Sequence, residues 1–397
     1  MSRPPDFRSS VYKRPTRSFS PDAARVAVVN PYLWSYPTIA AIAEAVRASG
    51  IRPEVFQQDD TSIKSRDKFT PHVSDMYRFI CKETIQSLQT FVPELYTIII
   101  LGDWYPTGCL HKPNDVTCSH HILRLLDAGS LQRLIIHMHE PASSIGSLHE
   151  ARWDTDVELV KSIKADTVKV LQDPRITLLT AAPHVANYTQ VTLGLMGITK
   201  DVGWFLQLIP WNNQAVLRRE RHGFIVQGKI DPHRRNYAAL IEGILQRPGL
   251  LEHPGFTLRL VGSAANADVD FVLAGKIWAV TDRSSFKDYW RELQSSLAIV
   301  PAFSNSRYLD SAASSTLFTS VLLGIPIIAD DDILKTYSYL TKDDVLYQSS
   351  LETVYDVMAR YVHASMHDDI IRISRNLIRL RNTQLRRNKV VFQRLIM

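Results

Sequence analysis

Three hundred and ninety-seven residues exceed what one ordinary core needs and suit two domains of ordinary size. With 45% hydrophobic and 22% charged residues, the composition excludes a disordered or fibrous chain, and no run of 18 apolar residues is present to span a bilayer. The net charge of +6 sits at the ends: residues 1–25 carry +4 and 370–397 carry +8, leaving the body at −6, which speaks against a nucleic-acid groove through the middle. Three cysteines (Cys81, Cys109, Cys118) leave at least one unpaired, and the Arg/Pro/Ser-rich start has no apolar stretch. Both features fit a cytoplasmic protein.

The expectation for 1–24 is a disordered basic lead, because the segment lacks periodicity. Arg25 to Asn30 then reads as a buried parallel strand, Pro37 to Ser49 as a helix stopped by Gly50, and Arg52 to Gln57 as a strand. The alternation continues with a helix over 73–90, a strand over 95–101, a helix over 119–127 and a strand over 133–137. A helix over 156–171, a strand over 176–180, a helix over 183–195 and a strand over 204–209 complete the first series. The second series begins after the charged stretch 211–222. It has strands over 223–227, 257–261, 277–280, 297–301 and 325–329, with helices over 236–245, 286–293 and 315–323 between them. Strands alternating with helices specify parallel sheets covered on both faces. The reading is therefore an α/β chain of two doubly wound, Rossmann-like domains with a cleft between them. Residues 25–211 form the N-terminal domain, 212–350 the C-terminal domain, and 351–397 closing helices. Such sheets bind ligands outside the carboxyl ends of their strands.

At those ends lie the residues with chemistry. After the strand 223–227 come Gly228 and Lys229, then Arg234, Arg235 and Asn236 at a helix start. Glycine admits a ligand to the backbone, a helix N-terminus favours an anion, and the cations can neutralise a diphosphate. A solvated loop with surface charges is the plain alternative. After Val300-Pro301, a polar loop delivers Ser311, Ser314, Ser315 and Thr316 to another helix start, more hydroxyls than capping needs. In the first half, His137 and His139 end a strand beside Glu140, where imidazoles can serve acid–base chemistry. Cys109, His111, Cys118, His120 and His121 are ligand types without the spacing that closes a tetrahedral site, so no metal is expected. The helix-spaced apolar residues and eight cations of 370–397 fit either contact with an anionic membrane or packing onto the protein.

The order of pieces across 223–329 resembles the C-terminal half of GT-B glycosyltransferases, particularly the large retaining nucleotide-sugar family. The pieces are Gly228-Lys229 with Arg235-Asn236, Leu258-Arg-Leu-Val-Gly262, Ile277 to Val280, Tyr289 to Leu293, Val300-Pro301 and Gly324-Ile-Pro-Ile-Ile-Ala329. The resemblance implies that Lys229 and Arg235 hold a diphosphate and that Val280 and Thr281 lie beside the nucleotide base. It also implies a nucleotide diphosphate sugar as donor, with no separate cofactor and an acceptor of unknown kind. Two glutamates of that family, counted back from Gly324, fall on Ser311 and Thr319 here, and Asp310 is the nearest carboxylate. Ser311, Ser314 and Ser315 are the candidate hydroxyls for the donor, and His137, His139 and Asp310 the candidate catalytic groups. The alternative is a catalytically inactive binding protein on the same fold.

Overall fold

The computed structural model describes residues 25–30, 36–57, 85–102, 104, 118–127, 129, 131–142, 145, 157–211, 217, 221–228, 230–231, 233–262, 275–280 and 286–397. The first sheet contains β1 (Val26–Asn30), β2 (Glu54–Gln57), β3 (Ile85–Ser87), β4 (Ile98–Leu101), β5 (Arg133–Met138), β6 (Ile176–Thr180) and β7 (Val202–Trp204). They lie in the order β3-β2-β1-β4-β5-β6-β7, every pair parallel. Continuous apolar runs such as Ile98-Ile-Ile-Leu101 suit a sheet buried on both faces. α1 (Tyr36–Ala48) covers one face, and α2 (Cys118–Asp127), α3 (Val157–Gln172) and α4 (Pro183–Leu195) contribute to the core on the other.

The second sheet orders β8 (Phe224–Gln227), β9 (Leu258–Val261), β10 (Ile277–Val280) and β11 (Ala298–Ile299) as β10-β9-β8-β11, again parallel. A bridge from Ile299 to Ile327 continues it towards the pair β12 (Ile328–Ala329) and β13 (Leu346–Tyr347). Both halves thus wind outwards in two directions from their first strand, the doubly wound pattern. The helices of this half are α5 (Tyr237–Leu245), α6 (Pro248–Glu252), α7 (Phe286–Gln294), α8 (Arg307–Asp310), α9 (Ser315–Leu323), α10 (Asp331–Thr336) and α11 (Val354–Tyr361).

A 30-residue helix, α12 (His367–Ile396), packs on α9 in the second half and α1 in the first. Its apolar side is covered: Ile370, Ile373, Leu377, Phe392 and Ile396 are buried, and Phe392 meets Phe205 edge-on at 5.4 Å. Arg381 donates to Leu322 O at 3.0 Å and Asn388 donates to Leu206 O at 2.7 Å, one bond to each half.

Three local expectations differ from the structure. Residues 85–90 are strand β3 and a short 3-10 turn rather than helix, because Ile85–Ser87 pairs with the edge of β2; residues 73–84 lie outside the described residues. The run 204–209 leaves the sheet at Phe205, and its apolar side chains are buried without strand pairing as the chain crosses to the second half. Strands 297–301 and 325–329 each shrink to two residues, Ala298–Ile299 and Ile328–Ala329, with Ile327 held by a single bridge.

Candidate functional site

The crevice of a doubly wound sheet opens where neighbouring connections leave in opposite directions. In the second sheet that point lies between β8 and β11, so the loops after Gln227 and Val300 form it. Gly228 takes φ +114, a left-handed conformation that favours glycine. A Cβ on Gly262 would overlap Gly228 O, so the ends of β8 and β9 touch backbone to backbone.

Arg235 reaches back over this turn. A Cβ on Gly228 would lie 3.8 Å from its Nη2, which donates to Thr316 Oγ1 at 2.8 Å. Its Nη1 donates to Arg234 O at 3.2 Å, and the rings of Phe303 and Tyr308 each lie 5.2 Å from the guanidinium carbon. The residue is 4% exposed, and no carboxylate among the described residues pairs with it. Burial holds its pKa below the ordinary guanidinium value. Arg221 is likewise buried on a neutral partner, so it is the position of Arg235 at the β8–β11 crevice, beside Gly228, that sets it apart.

The chain of bonds behind Arg235 runs in one direction. A guanidinium only donates, so Thr316 must pass its own proton on, and it donates to Gln227 Oε1 at 3.1 Å. That fixes the Gln227 amide with its nitrogen towards Tyr289, donating to the phenol oxygen at 2.5 Å. Thr316 is therefore committed to the protein. Ser314 is committed too: it is fully buried, caps α9 by accepting from Thr316 N at 3.3 Å, and its own N–H meets Tyr337 Oη at 3.0 Å. Ser315, in the first turn of α9, is exposed, and Ser311 is half-buried.

The loop after β11 is strained and latched. Ala302 has φ 48, a conformation that costs an L-residue about 1–2 kcal/mol. It is held there because Asn236 N donates to Ala302 O at 2.9 Å while Arg235 bridges Phe303. Asn236 also caps α5, accepting from Ala239 N at 3.2 Å.

Opposite stands the carboxyl edge of the first sheet. Ile135 and His137 face one side of β5, while Leu134, Ile136 and Met138 face the other, as strand alternation requires. His137 is fully buried against Phe205, and its Nδ1 lies 3.0 Å from Gly102 O. That carbonyl can only accept, so Nδ1 carries the proton. Burial first, and His139 second, push its pKa down to about 3, so it stays neutral. His139, 6.3 Å away ring to ring, is partly exposed, with Gln207 Nε2 at 3.5 Å from its Nδ1.

Two contacts join the edges. Arg307 in α8 pairs with Glu140 at 2.6 Å, and the His184 Nε2 at the start of α4 lies 3.2 Å from Ala312 O. His184 also meets Tyr337 edge-on at 4.7 Å, and burial lowers its pKa. The expected residues thus divide. Gly228, Arg235, Ser311, Ser314 and Ser315 gather at the β8–β11 crevice, and exposed Asp310 closes α8 beside them. His139 faces the seam from the other half. Val280 ends β10, while Lys229 and Thr281 lie outside the described residues. Gln227, Tyr289, Tyr308, His184 and Arg307 were not anticipated. Two had a sequence signal: Gln227 is a polar residue closing an apolar strand, and Tyr289 opens the 289–293 piece of the family resemblance.

No protein-family model matches the sequence, and no curated protein matches it by sequence. Solved structures do match the fold. Anabaena HepE in complex with UDP superposes with a TM-score of 0.55 at 10% identity, covering 93% of this chain and 98% of that one. The sucrose-phosphate synthase of Thermosynechococcus elongatus gives 0.55 at 11% identity, covering 94% and 98%. A glycosyltransferase from Rickettsia africae gives 0.54 at 10% identity, covering 94% and 99%. The chain has the GT-B fold of these proteins, two Rossmann-like domains meeting at their carboxyl edges.

Proposed function

We propose that the protein is a glycosyltransferase that moves a sugar from a nucleotide diphosphate sugar to an acceptor held by the N-terminal domain. The observation that carries this is Arg235, a buried guanidinium with neutral partners only, poised between Gly228 and the start of α9. Negative charge develops on the leaving diphosphate in the transition state, and a preorganised cation at a helix N-terminus is the group that stabilises it. Lys229 joins Arg235 on the diphosphate, Ser311 and Ser315 supply the hydroxyls that Ser314 and Thr316 have committed elsewhere, and the base lies beside Val280 and Thr281. His139 faces the sugar from the first domain, with Asp310 the nearest carboxylate. His137 acts from behind, where its neutral ring orients the strand end.

HepE is described with UDP and with UDP-glucose, which makes a UDP-sugar the first donor to try. No metal is required in this reading, because Arg235, Lys229 and the helix end supply the positive charge. We place the protein in the cytoplasm, with 370–397 offering its exposed cations to an anionic membrane. No helix among the described residues is long and apolar enough to cross one.

Incubation with UDP-, GDP- and ADP-sugars in the presence of EDTA tests the assignment. Slow release of nucleoside diphosphate from one donor is the expected result. Binding without release from any donor, with or without divalent metal, would mark an inactive binding protein instead.

A further inference from the structure

Tyr337, the residue that follows α10, is fully buried. Its phenol makes two bonds to backbone groups of the loop after β11. The hydroxyl donates to Tyr308 O at 2.7 Å, and its oxygen accepts from Ser314 N at 3.0 Å. Burial raises its pKa above the ordinary phenol range, so the hydroxyl keeps the proton it gives to Tyr308 O.

The surroundings of Arg235 are built from those two backbone positions. Tyr308 places its ring 5.2 Å from the Arg235 guanidinium carbon and accepts through its own hydroxyl from Arg234 Nε at 2.7 Å. Ser314 caps α9, and two residues further on Thr316 accepts from Arg235 Nη2. One buried hydroxyl therefore sets the distance between α8 and the start of α9, the two elements that flank Arg235. The segment joining them is also held from the first domain. His184, at the start of α4, has its Nε2 3.2 Å from Ala312 O, and because a carbonyl only accepts, Nε2 carries the proton. The same imidazole meets the Tyr337 ring edge-on at 4.7 Å.

We infer that Tyr337 is a positioning residue of the donor site, holding Tyr308 and Thr316 on either side of Arg235, and that His184 extends this clamp to the N-terminal domain. The inference rests on the reading of Arg235 as the diphosphate cation, and adds what aims it. Tyr337 touches no donor; it acts through the backbone of 308–316. A domain shift that draws His184 off Ala312 loosens the frame of Arg235, so the grip on the diphosphate depends on how the two halves are set. A tyrosine that merely filled the core would need only its ring, which already packs on His184 and, at 6.0 Å, on Tyr339. The hydroxyl is the part that ties α8 to α9.

Calorimetric titration of UDP, GDP and ADP into the unaltered full chain, Tyr337→Phe, Arg235→Met and the double variant tests this. Phenylalanine keeps the ring and removes only the hydroxyl. Alone, it should weaken the nucleoside diphosphate that binds by about tenfold. Added to Arg235→Met, it should weaken binding by less than about twofold, because groups that act through one another are not additive. The melting temperature should fall equally in both backgrounds. Equal loss of affinity with and without Arg235, or no loss at all, overturns the positioning role. His184→Gln and His184→Leu make the same test from the domain interface, where folding is less at risk. Glutamine keeps a donor for Ala312 O and should bind as the unaltered chain does, while leucine should bind about threefold more weakly. Equal binding by these two overturns the extension to the first domain. No diphosphate bound by the unaltered chain, or none affected by Arg235→Met, contradicts the donor reading itself and the clamp with it.

Discussion

Arg235 and His137 are both buried ionisable side chains, and burial has opposite consequences for them. Arg235 remains a cation at any accessible pH, and in the proposed function an anion that arrives from outside offsets its desolvation. His137 instead gives up its charge, with its pKa near 3 against about 6.5 in an unfolded chain. Because the unfolded state takes up the proton first, this side chain contributes stability that is complete above pH ~6.5 and drains away as pH falls towards 3. Urea unfolding should lose about 2 kcal/mol between pH 7 and 5 from this group. His137→Asn, which keeps a donor near Gly102 O, should flatten that slope. An unchanged slope would mean that the proton is held elsewhere. The sequence could place His137 and His139 on one face of a strand, since alternation alone does that. It could not say which was covered, because the cover, Phe205 with Phe392 behind it, comes from segments far along the chain.

Between single residues and the whole molecule lie the elements that aim them. The route from Tyr289 on α7, through Gln227 at the end of β8 and Thr316 on α9, to Arg235 spans three elements that periodicity identifies one by one but never connects. The gathering of the Ser/Thr cluster at one helix start was therefore legible, while its division of labour was not: Ser314 and Thr316 build the frame, and half-buried Ser311 and exposed Ser315 are the two proposed to meet a ligand. Thr316→Val removes both the acceptor for Arg235 and the donor for Gln227, and should weaken nucleoside diphosphate binding about tenfold, on the order of one hydrogen bond to a charged group. Thr316→Ser should restore it, because the hydroxyl returns. Equal damage from both substitutions would make the contribution one of packing rather than aim. The same scale explains the misread segments. Residues 85–90 carry helical spacing, yet an available β2 edge decides their state, and 205–209 carry strand composition but are buried by α12 without a pairing partner.

At the scale of the molecule, the alternation of strands and helices was enough to read two doubly wound sheets. The way their carboxyl edges meet required contacts between distant residues, Glu140 with Arg307 and His184 with Ala312. α12 fixes that arrangement by bonding to Leu322 in one half and Leu206 in the other. The account as a whole turns on a diphosphate filling the gap that Arg235 leaves. Calorimetric titration of UDP, GDP and ADP into the full chain and into Arg235→Met tests this most directly. Methionine fills a similar volume without charge, so the variant should fold at least as well. At least one nucleoside diphosphate should bind the unaltered protein, and Arg235→Met should weaken it by about 30-fold, roughly 2 kcal/mol for a charged hydrogen-bonding group. Binding that survives the substitution unchanged, or no binding by any of the three, would contradict the account.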